Sequence, residues 1–128
     1  MADARSRILV IDDAALVRLY YRKILERAGY EVEEAMNGLE GLERILRSAP
    51  DLVIVDVNMP QMDGLAFLTA LRKQEPPISG VPALVASTEA GEHDRLAARA
   101  AGANFYLVKP IGEGALQACV AMMCGRPA

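Results

Sequence analysis

Short apolar runs alternate along the chain with longer segments in which apolar residues recur at helical spacing. Residues 8–11 and 52–55 are entirely aliphatic, which is typical of strands covered on both faces. Residues 83–86 and 104–108 predict two more strands, and residues 30–33 alternate between apolar and charged positions as an edge strand does. We therefore expect five strands.

The segments between these strands predict five helices, at about residues 16–28, 37–47, 63–73, 92–101 and 112–123. Gly29 stands where a left-handed residue would end the first helix. Asn37, followed by Glu40 three positions later, predicts a capping box. Asp63-Gly64 is expected to open the third helix.

Strict alternation of strands and helices predicts an α/β fold, because parallel strands are joined by helix-length crossovers. We expect a single doubly wound, five-stranded parallel sheet with five helices and right-handed crossovers. The 128 residues suit one domain over 1–128, with a core at about 7–124, and contain no repeat or linker.

Composition narrows the classes of function. The net charge is -3 and no dense basic run occurs, so nucleic-acid binding is disfavoured. The polar residues 1–7 precede an apolar run that Asp12 and Asp13 interrupt, which disfavours a signal peptide or membrane span and predicts a cytoplasmic protein. Cys119 and Cys124 are expected on different helix faces as free thiols.

Acidic residues follow two of the predicted strands. Asp12 and Asp13 follow the first and Asp56 follows the third. If these strands are neighbours, the carboxylates converge, and two of them about 4 Å apart repel by roughly 4 kcal/mol at an effective dielectric near 20. Such a cluster must hold protons or bind a cation, and an all-oxygen set suits Mg²⁺, or Mn²⁺, rather than zinc. The single histidine, His93, does not build a zinc site alone.

Each of these residues also has an ordinary structural interpretation. Asp12 or Asp13 could cap the first helix, and Asp56 could start a turn. Ser87 and Lys109, at the ends of the fourth and fifth strands, could be a turn residue and a solvated lysine. Together, however, they supply what a phosphoryl group requires: a metal, an ammonium and a hydroxyl for its oxygens.

The sequence resembles the receiver domains of bacterial two-component response regulators, and within them the stand-alone chemotaxis type. The resemblance rests on the segments ILVIDD (8–13), LVIVDVNMPQMDG (52–64), ALVASTEA (83–90) and FYLVKP (105–110). It implies the flavodoxin-like strand order 2-1-3-4-5 of the chemotaxis regulator.

The resemblance also implies roles for the acidic residues. Asp56 would be the phosphoacceptor that forms an acyl phosphate. Asp13 and Asp56 would bind Mg²⁺ directly, together with the backbone carbonyl of Asn58. Asp12 would act on the metal chiefly through water.

Further residues would bind the phosphoryl group or respond to it. Lys109 would pair with it, and the bond from Lys109 to Pro110 is typically cis in the family. Ser87 would move toward a phosphoryl oxygen. Tyr106 would change rotamer as the partner surface reorganises, although a half-buried strand aromatic needs no such role.

Some positions that would tune the lifetime of the phosphoryl group depart from the common pattern. Ser87 replaces the more frequent threonine but keeps the hydroxyl. Thr88 replaces alanine or glycine, and its bulk would restrict access of water. Asn58 and Glu89 are the types of the chemotaxis form, which favour fast loss, so the expected lifetime is open.

The function predicted is a phosphorylation-activated switch rather than an enzyme for other substrates. A sensor histidine kinase or phosphotransfer protein would donate to Asp56. A protein target would bind the fourth helix, fifth strand and fifth helix, since no effector domain is expected. Chemotaxis is the first choice of pathway and a phosphorelay shuttle the second.

Other classes compete with the receiver interpretation. A haloacid-dehalogenase-type phosphatase needs a second aspartate where Asn58 stands. An adaptor that is never phosphorylated has no need of a carboxylate cluster. A flavodoxin relative would not place two acids, Asp12 and Asp13, where a phosphate must bind.

Overall fold

The fold is a parallel sheet with helices on both faces, seen in a computed structural model that describes residues 6–125. Its elements are β1 Arg7–Ile11, α1 Ala15–Arg27, β2 Glu31–Ala35, α2 Gly38–Arg47, β3 Leu52–Asp56, α3 Gly64–Arg72, a 3₁₀ turn Ile78–Gly80, β4 Ala83–Ser87, α4 Glu92–Ala101, β5 Phe105–Val108 and α5 Glu113–Met123. The strand order is β2-β1-β3-β4-β5, which confirms the predicted fold class and topology. The ends of the predicted domain, residues 1–5 and 126–128, lie outside the described residues.

Alternate residues of the buried strands pack against different helices. Ile8, Val10 and Ile54 face α1 and α5, whereas Leu9 and Val53 face α2, α3 and α4. Every residue of β3 and β4 is buried. This explains why their sequences are continuous apolar runs without an alternating polar face.

The helix ends show which sequence signals were correct. The Asn37 side chain accepts a hydrogen bond from the Glu40 amide at 2.8 Å, which confirms the predicted cap. The Glu40 carboxylate accepts from the Met36 amide at 2.8 Å, so the second bond of the capping box reaches the residue before the cap rather than the cap itself. Asp63 caps α3 as predicted. Gly29 has a left-handed φ of 94°, also as predicted.

Two local predictions were wrong, and one open alternative is settled. The second strand begins at Glu31, because the amide of Tyr30 still bonds to the carbonyl of Leu25 in α1 at 3.0 Å. The alternative that Asp12 or Asp13 caps the first helix is excluded, since Ala14 occupies the cap position. Cys119 and Cys124 were expected on different helix faces, yet both are half-buried against the same apolar layer.

Arg72 joins several elements at the end of the sheet where β4 begins. Its guanidinium donates to the carbonyl of Gly102 after α4 at 2.7 and 3.0 Å. It also donates to the carbonyls of Ser79 and Val81 at 2.9 and 2.7 Å and to the side chain of Asn104 at 3.1 Å. The ends of α3 and α4 are therefore fixed to the start of β4.

Within the described part of the chain, the helices are too short or too polar to cross a bilayer.

Candidate functional site

Three neighbouring strands bring their polar ends to one edge of the sheet. Asp56 is the last residue of β3 and Ser87 is the last residue of β4, while Asp12 directly follows β1. In the parallel register Ile11 lies opposite Val55, and Asp56 lies opposite Ala86. Because all three strands run in the same direction, their carboxyl ends form a common rim where ligands bind in this type of sheet.

The acidic side chains converge as the sequence predicted. Asp12 and Asp56 are 2% and 8% exposed, and Asp13 is exposed. One oxygen from each carboxylate lies within 4.8 Å of the other two. These oxygen donors fit a hard divalent cation such as Mg²⁺, which keeps several waters and needs few protein ligands. Asn58 is exposed in the loop after β3, near enough in sequence to contribute a carbonyl.

Lys109 places its ammonium between the two buried carboxylates. Its Nζ donates to Asp12 at 2.7 Å and to Asp56 at 3.0 Å. Its backbone amide donates to the carbonyl of Ser87 at 2.7 Å, which continues the β4–β5 pairing past the end of β5. The Lys109–Pro110 peptide bond is cis. The lysine thus supplies one positive charge to a group of three acids.

The protonation of the site follows from burial and from these charges. Burial raises the pKa of Asp56, and Lys109 opposes this while Asp12 and Asp13 add to it, so the pKa ends above its ordinary value. For Lys109, burial acts to lower the pKa, but the hydrogen bonds to Asp12 and Asp56 outweigh it and raise the pKa. The ammonium therefore stays charged, and ionising Asp56 costs more than ionising a free aspartic acid.

The backbone of Asp56 is packed against the start of α3. The amide of Gly64 donates to the carbonyl of Val57 at 2.8 Å, and a Cβ at Gly64 would overlap the Asp56 carbonyl and lie 2.9 Å from the Val57 Cα. Glycine is thus required at this close approach. The sequence indicates a turn or helix start at Asp63-Gly64 but not this contact.

A chain of contacts runs from the site to the surface. Buried Ser87 accepts a hydrogen bond from the amide of Glu89 at 3.1 Å, and the Tyr106 hydroxyl donates to the carbonyl of Glu89 at 2.7 Å. The Arg95 guanidinium lies 5.1 Å from the centre of the Tyr106 ring, within cation–π range. Tyr106 and Arg95 line a groove of about 420 Å³ between α4 and β5, which also contains Leu96.

The sequence matches the response regulator receiver domain family over residues 8–121. The chain belongs to this family. It is 41% identical over 107 residues to a protein-glutamate methylesterase/protein-glutamine glutaminase of Archaeoglobus fulgidus, covering 83% of this chain and 30% of the relative. It is 39% identical over 104 residues to the transcriptional regulatory protein PrrA of Mycobacterium leprae, covering 81% and 43%. The chain thus spans less than half the length of these curated relatives.

Solved structures of similar length show the same receiver fold. The chemotaxis protein CheY4 of Vibrio cholerae is 34% identical, with a TM-score of 0.87 and coverage of 94% of this chain and 99% of that one. A CheY-like response regulator receiver domain protein of Methanospirillum hungatei is 29% identical, with a TM-score of 0.87 and coverage of 95% of both chains. The receiver resemblance found in the sequence is therefore confirmed.

Two residues around the receiver's carboxylates were missed in the sequence. Arg18 on α1 donates to the backbone carbonyl of Asp12 at 2.5 Å and to the Glu34 carboxylate at 2.8 Å, and so holds the turn that carries Asp12 and Asp13. Tyr21 is 2% exposed, and burial raises its pKa to about 12 although the charge of Lys109 lowers it. Neither residue has a local sequence signal, because the contacts of Arg18 and the burial of Tyr21 depend on how α1 lies across the sheet.

Proposed function

We propose that the protein is a phosphorylation-activated switch in which Asp56 accepts a phosphoryl group with the help of Mg²⁺. The observation that carries the proposal is the group of three carboxylates with Lys109 bonded to two of them at 2.7 and 3.0 Å. This donor set provides a nucleophile, a cation site and a fixed positive charge in one place. The proposed donor is a phosphohistidine of a sensor kinase or of a phosphotransfer protein, which sets the reaction in the cytoplasm.

The proposed reaction is an in-line displacement at phosphorus. An Asp56 oxygen forms the new P–O bond while the P–N bond to the donor imidazole breaks, and the imidazole leaves as the neutral ring after taking up a proton. Bound Mg²⁺ would neutralise negative charge on the transferring phosphoryl oxygens. Asp13 and Asp56, with the Asn58 carbonyl, would hold it directly, and Asp12 would hold it through water.

The protein's other groups stabilise the product. Lys109 exchanges its contact with Asp56 for one with a phosphoryl oxygen while it remains close to Asp12. The Ser87 hydroxyl, which now accepts from the Glu89 amide, turns to donate to a second phosphoryl oxygen. This changes the chain of contacts from Glu89 to Tyr106 and so alters the groove between α4 and β5.

Intact-mass analysis after incubation with Mg²⁺ and acetyl phosphate tests the phosphoacceptor. We expect the wild type to gain one phosphoryl group and Asp56→Asn to gain none. Asp63→Asn is the matched control, because it exchanges an exposed acid for its amide and keeps a good helix cap. Labelling of Asp56→Asn, or none of the wild type, would contradict the proposal. Repeated turnover of an aryl phosphate would instead favour a haloacid-dehalogenase-type phosphatase.

The proposed output is altered binding of a protein target at α4, β5 and α5. Leu96 and Phe105 are 57% and 44% exposed on this side, and Tyr106 connects it to Ser87. Similarity to a chemotaxis protein over nearly its whole length supports chemotaxis as the pathway, with a phosphorelay shuttle as the alternative. Restored chemotactic swimming in a strain without its own regulator would support chemotaxis, and phosphoryl transfer onward to a histidine would support the shuttle.

Thr88 and Glu89 are proposed to tune how long the phosphoryl group persists. Both side chains are exposed beside Ser87, and Thr88 lines a cavity that Lys109 also lines. A side chain there limits the path of water to phosphorus. Thr88→Ala is expected to shorten the lifetime of the acyl phosphate, which is measured as loss of label after the donor is removed. An unchanged lifetime would show that Thr88 does not shield the site.

A further inference from the structure

One hydrogen bond joins α1 to the segment that carries Lys109. The hydroxyl of Tyr20 donates to the carbonyl of Ile111 at 2.7 Å, between residues that are 91 positions apart. Ile111 follows Lys109 and the cis bond to Pro110, and its side chain is 5% exposed against the α1 and α5 layer. The bond therefore connects the middle of α1 to the connection between β5 and α5.

The segment 109–111 is consequently held from two sides. On the sheet side, the amide of Lys109 donates to the carbonyl of Ser87 at 2.7 Å. On the helix side, Tyr20 holds Ile111. Asp12 belongs to the turn that leads into α1, where it accepts from the Ala14 amide at 2.9 Å. The helix that follows Asp12 is thus tied to the segment that supplies its ammonium partner.

The surroundings of Tyr20 show what its hydroxyl contributes. The residue is 43% exposed, and its ring lines an apolar cavity of about 390 Å³ together with Leu16, Val17 and Pro110. A phenylalanine would cover this cavity equally well. What the hydroxyl adds is the hydrogen bond to the Ile111 carbonyl.

We propose that Tyr20 is a positioning residue for phosphoryl transfer, and this inference rests on the function proposed above. Its hydroxyl fixes the backbone of Lys109 relative to Asp12 and Asp56. The ammonium then moves from Asp56 to the phosphoryl oxygen by side-chain rotation alone. Without the bond, Lys109 starts from a wider range of positions and meets the transition state in the required place less often.

Single-turnover phosphorylation of Tyr20→Phe with acetyl phosphate and Mg²⁺ tests this role. Thr69→Val is the matched control, because it removes an exposed hydroxyl that donates to a backbone carbonyl at 2.9 Å on α3. We expect a maximal rate about three- to tenfold lower in Tyr20→Phe, with the half-saturating donor concentration unchanged. Thr69→Val should behave as the wild type. A Tyr20→Phe rate equal to that of the wild type would overturn the inference, as would a slower rate explained by a reduced folded fraction in circular dichroism.

A readout that does not need phosphorylation separates this inference from the proposed function. In NMR spectra without donor or metal, Tyr20→Phe should shift the Ile111 carbonyl and the Lys109 side-chain resonances. A shift at Ile111 with Lys109 unchanged would refute the positioning role. If the wild type is never labelled, the proposed function fails, and the NMR result still decides whether Tyr20 positions Lys109.

Discussion

Replacing the buried Asp56 with asparagine should stabilise the fold in the absence of divalent metal. At an effective dielectric near 20, the attraction between Asp56 and the Lys109 ammonium, 3.0 Å apart, is about 5.5 kcal/mol. The repulsion from Asp12 and from Asp13, within 4.8 Å, is about 3.5 kcal/mol for each carboxylate. Because solvent reduces the share of exposed Asp13, the repulsion roughly offsets the attraction, and the penalty of burying the carboxylate decides the sign. We expect Asp56→Asn to raise the free energy of unfolding by about 1–2 kcal/mol at neutral pH.

The pH dependence of this gain has a definite sign. The pKa of Asp56 is raised in the folded protein, first by burial, so the folded state favours the protonated acid. The contribution of Asp56 to wild-type stability is then greatest below the unfolded pKa of about 4 and is lost as the pH rises through the folded pKa. The advantage of Asp56→Asn should be absent in acid, should grow with pH and should level off above the folded pKa.

Urea denaturation with a chelator, followed by circular dichroism over this pH range, measures the difference. Asp63→Asn is the control, and it should change stability by no more than a few tenths of a kcal/mol because asparagine also caps helices. Added Mg²⁺ should stabilise the wild type more than Asp56→Asn, since ligand binding favours the folded state. Equal or lower stability of Asp56→Asn at neutral pH, or a gain that is largest in acid, would refute the charge argument.

Three further changes test other parts of the structure. Burial raises the pKa of Tyr21 from 10.0 to about 12, so the contribution of Tyr21 to stability should be lost as the pH rises between these values. In urea titrations, Tyr21→Phe should remove this loss. An ultraviolet titration in which every tyrosine ionises near pH 10 would contradict the prediction. Gly64→Ala should lower the free energy of unfolding by about 2–3 kcal/mol and slow phosphorylation, because its methyl group displaces the Asp56 backbone. Gly80→Ala is the control and should do neither, because an added Cβ there meets nothing within 4 Å. Arg72→Lys should lower the free energy of unfolding by about 3 kcal/mol, because an ammonium cannot replace the forked guanidinium. A loss below about 1 kcal/mol would show that the carbonyl groups bound by Arg72 find other donors.

The fold was predictable because each fully buried strand is an uninterrupted apolar run and because Gly29, Asn37 and Asp63 mark ends of the first three helices. Strand ends were less certain. Asp56 was expected just beyond its strand, yet it is the last paired residue of β3, since backbone pairing continues after the apolar side chains end. A polar side chain at the end of an apolar run therefore indicates the candidate site, but it does not indicate where backbone pairing between the strands ends.

The residues of the candidate site were visible in the sequence, but their connections were not. The group of Asp12, Asp13 and Asp56 follows from strand ends once β1 and β3 are neighbours. The contact of Tyr20 with Ile111 joins positions 91 apart, and Arg95 reaches Tyr106 only because α4 lies over β5. Such contacts depend on the angle at which helices cross the sheet, which no spacing in the sequence encodes.

The bonds from Arg72 to Gly102 determine how α4 can move. One end of the helix is pinned at Gly102, whereas the other begins at Gly91 without a side-chain cap. With 10 residues, α4 is about 15 Å long, so a tilt of roughly 10° about the pinned end displaces the free end by about 2.6 Å. The largest displacement then falls at the end of α4 that follows Ser87 and Glu89, on the side of the proposed phosphoryl site.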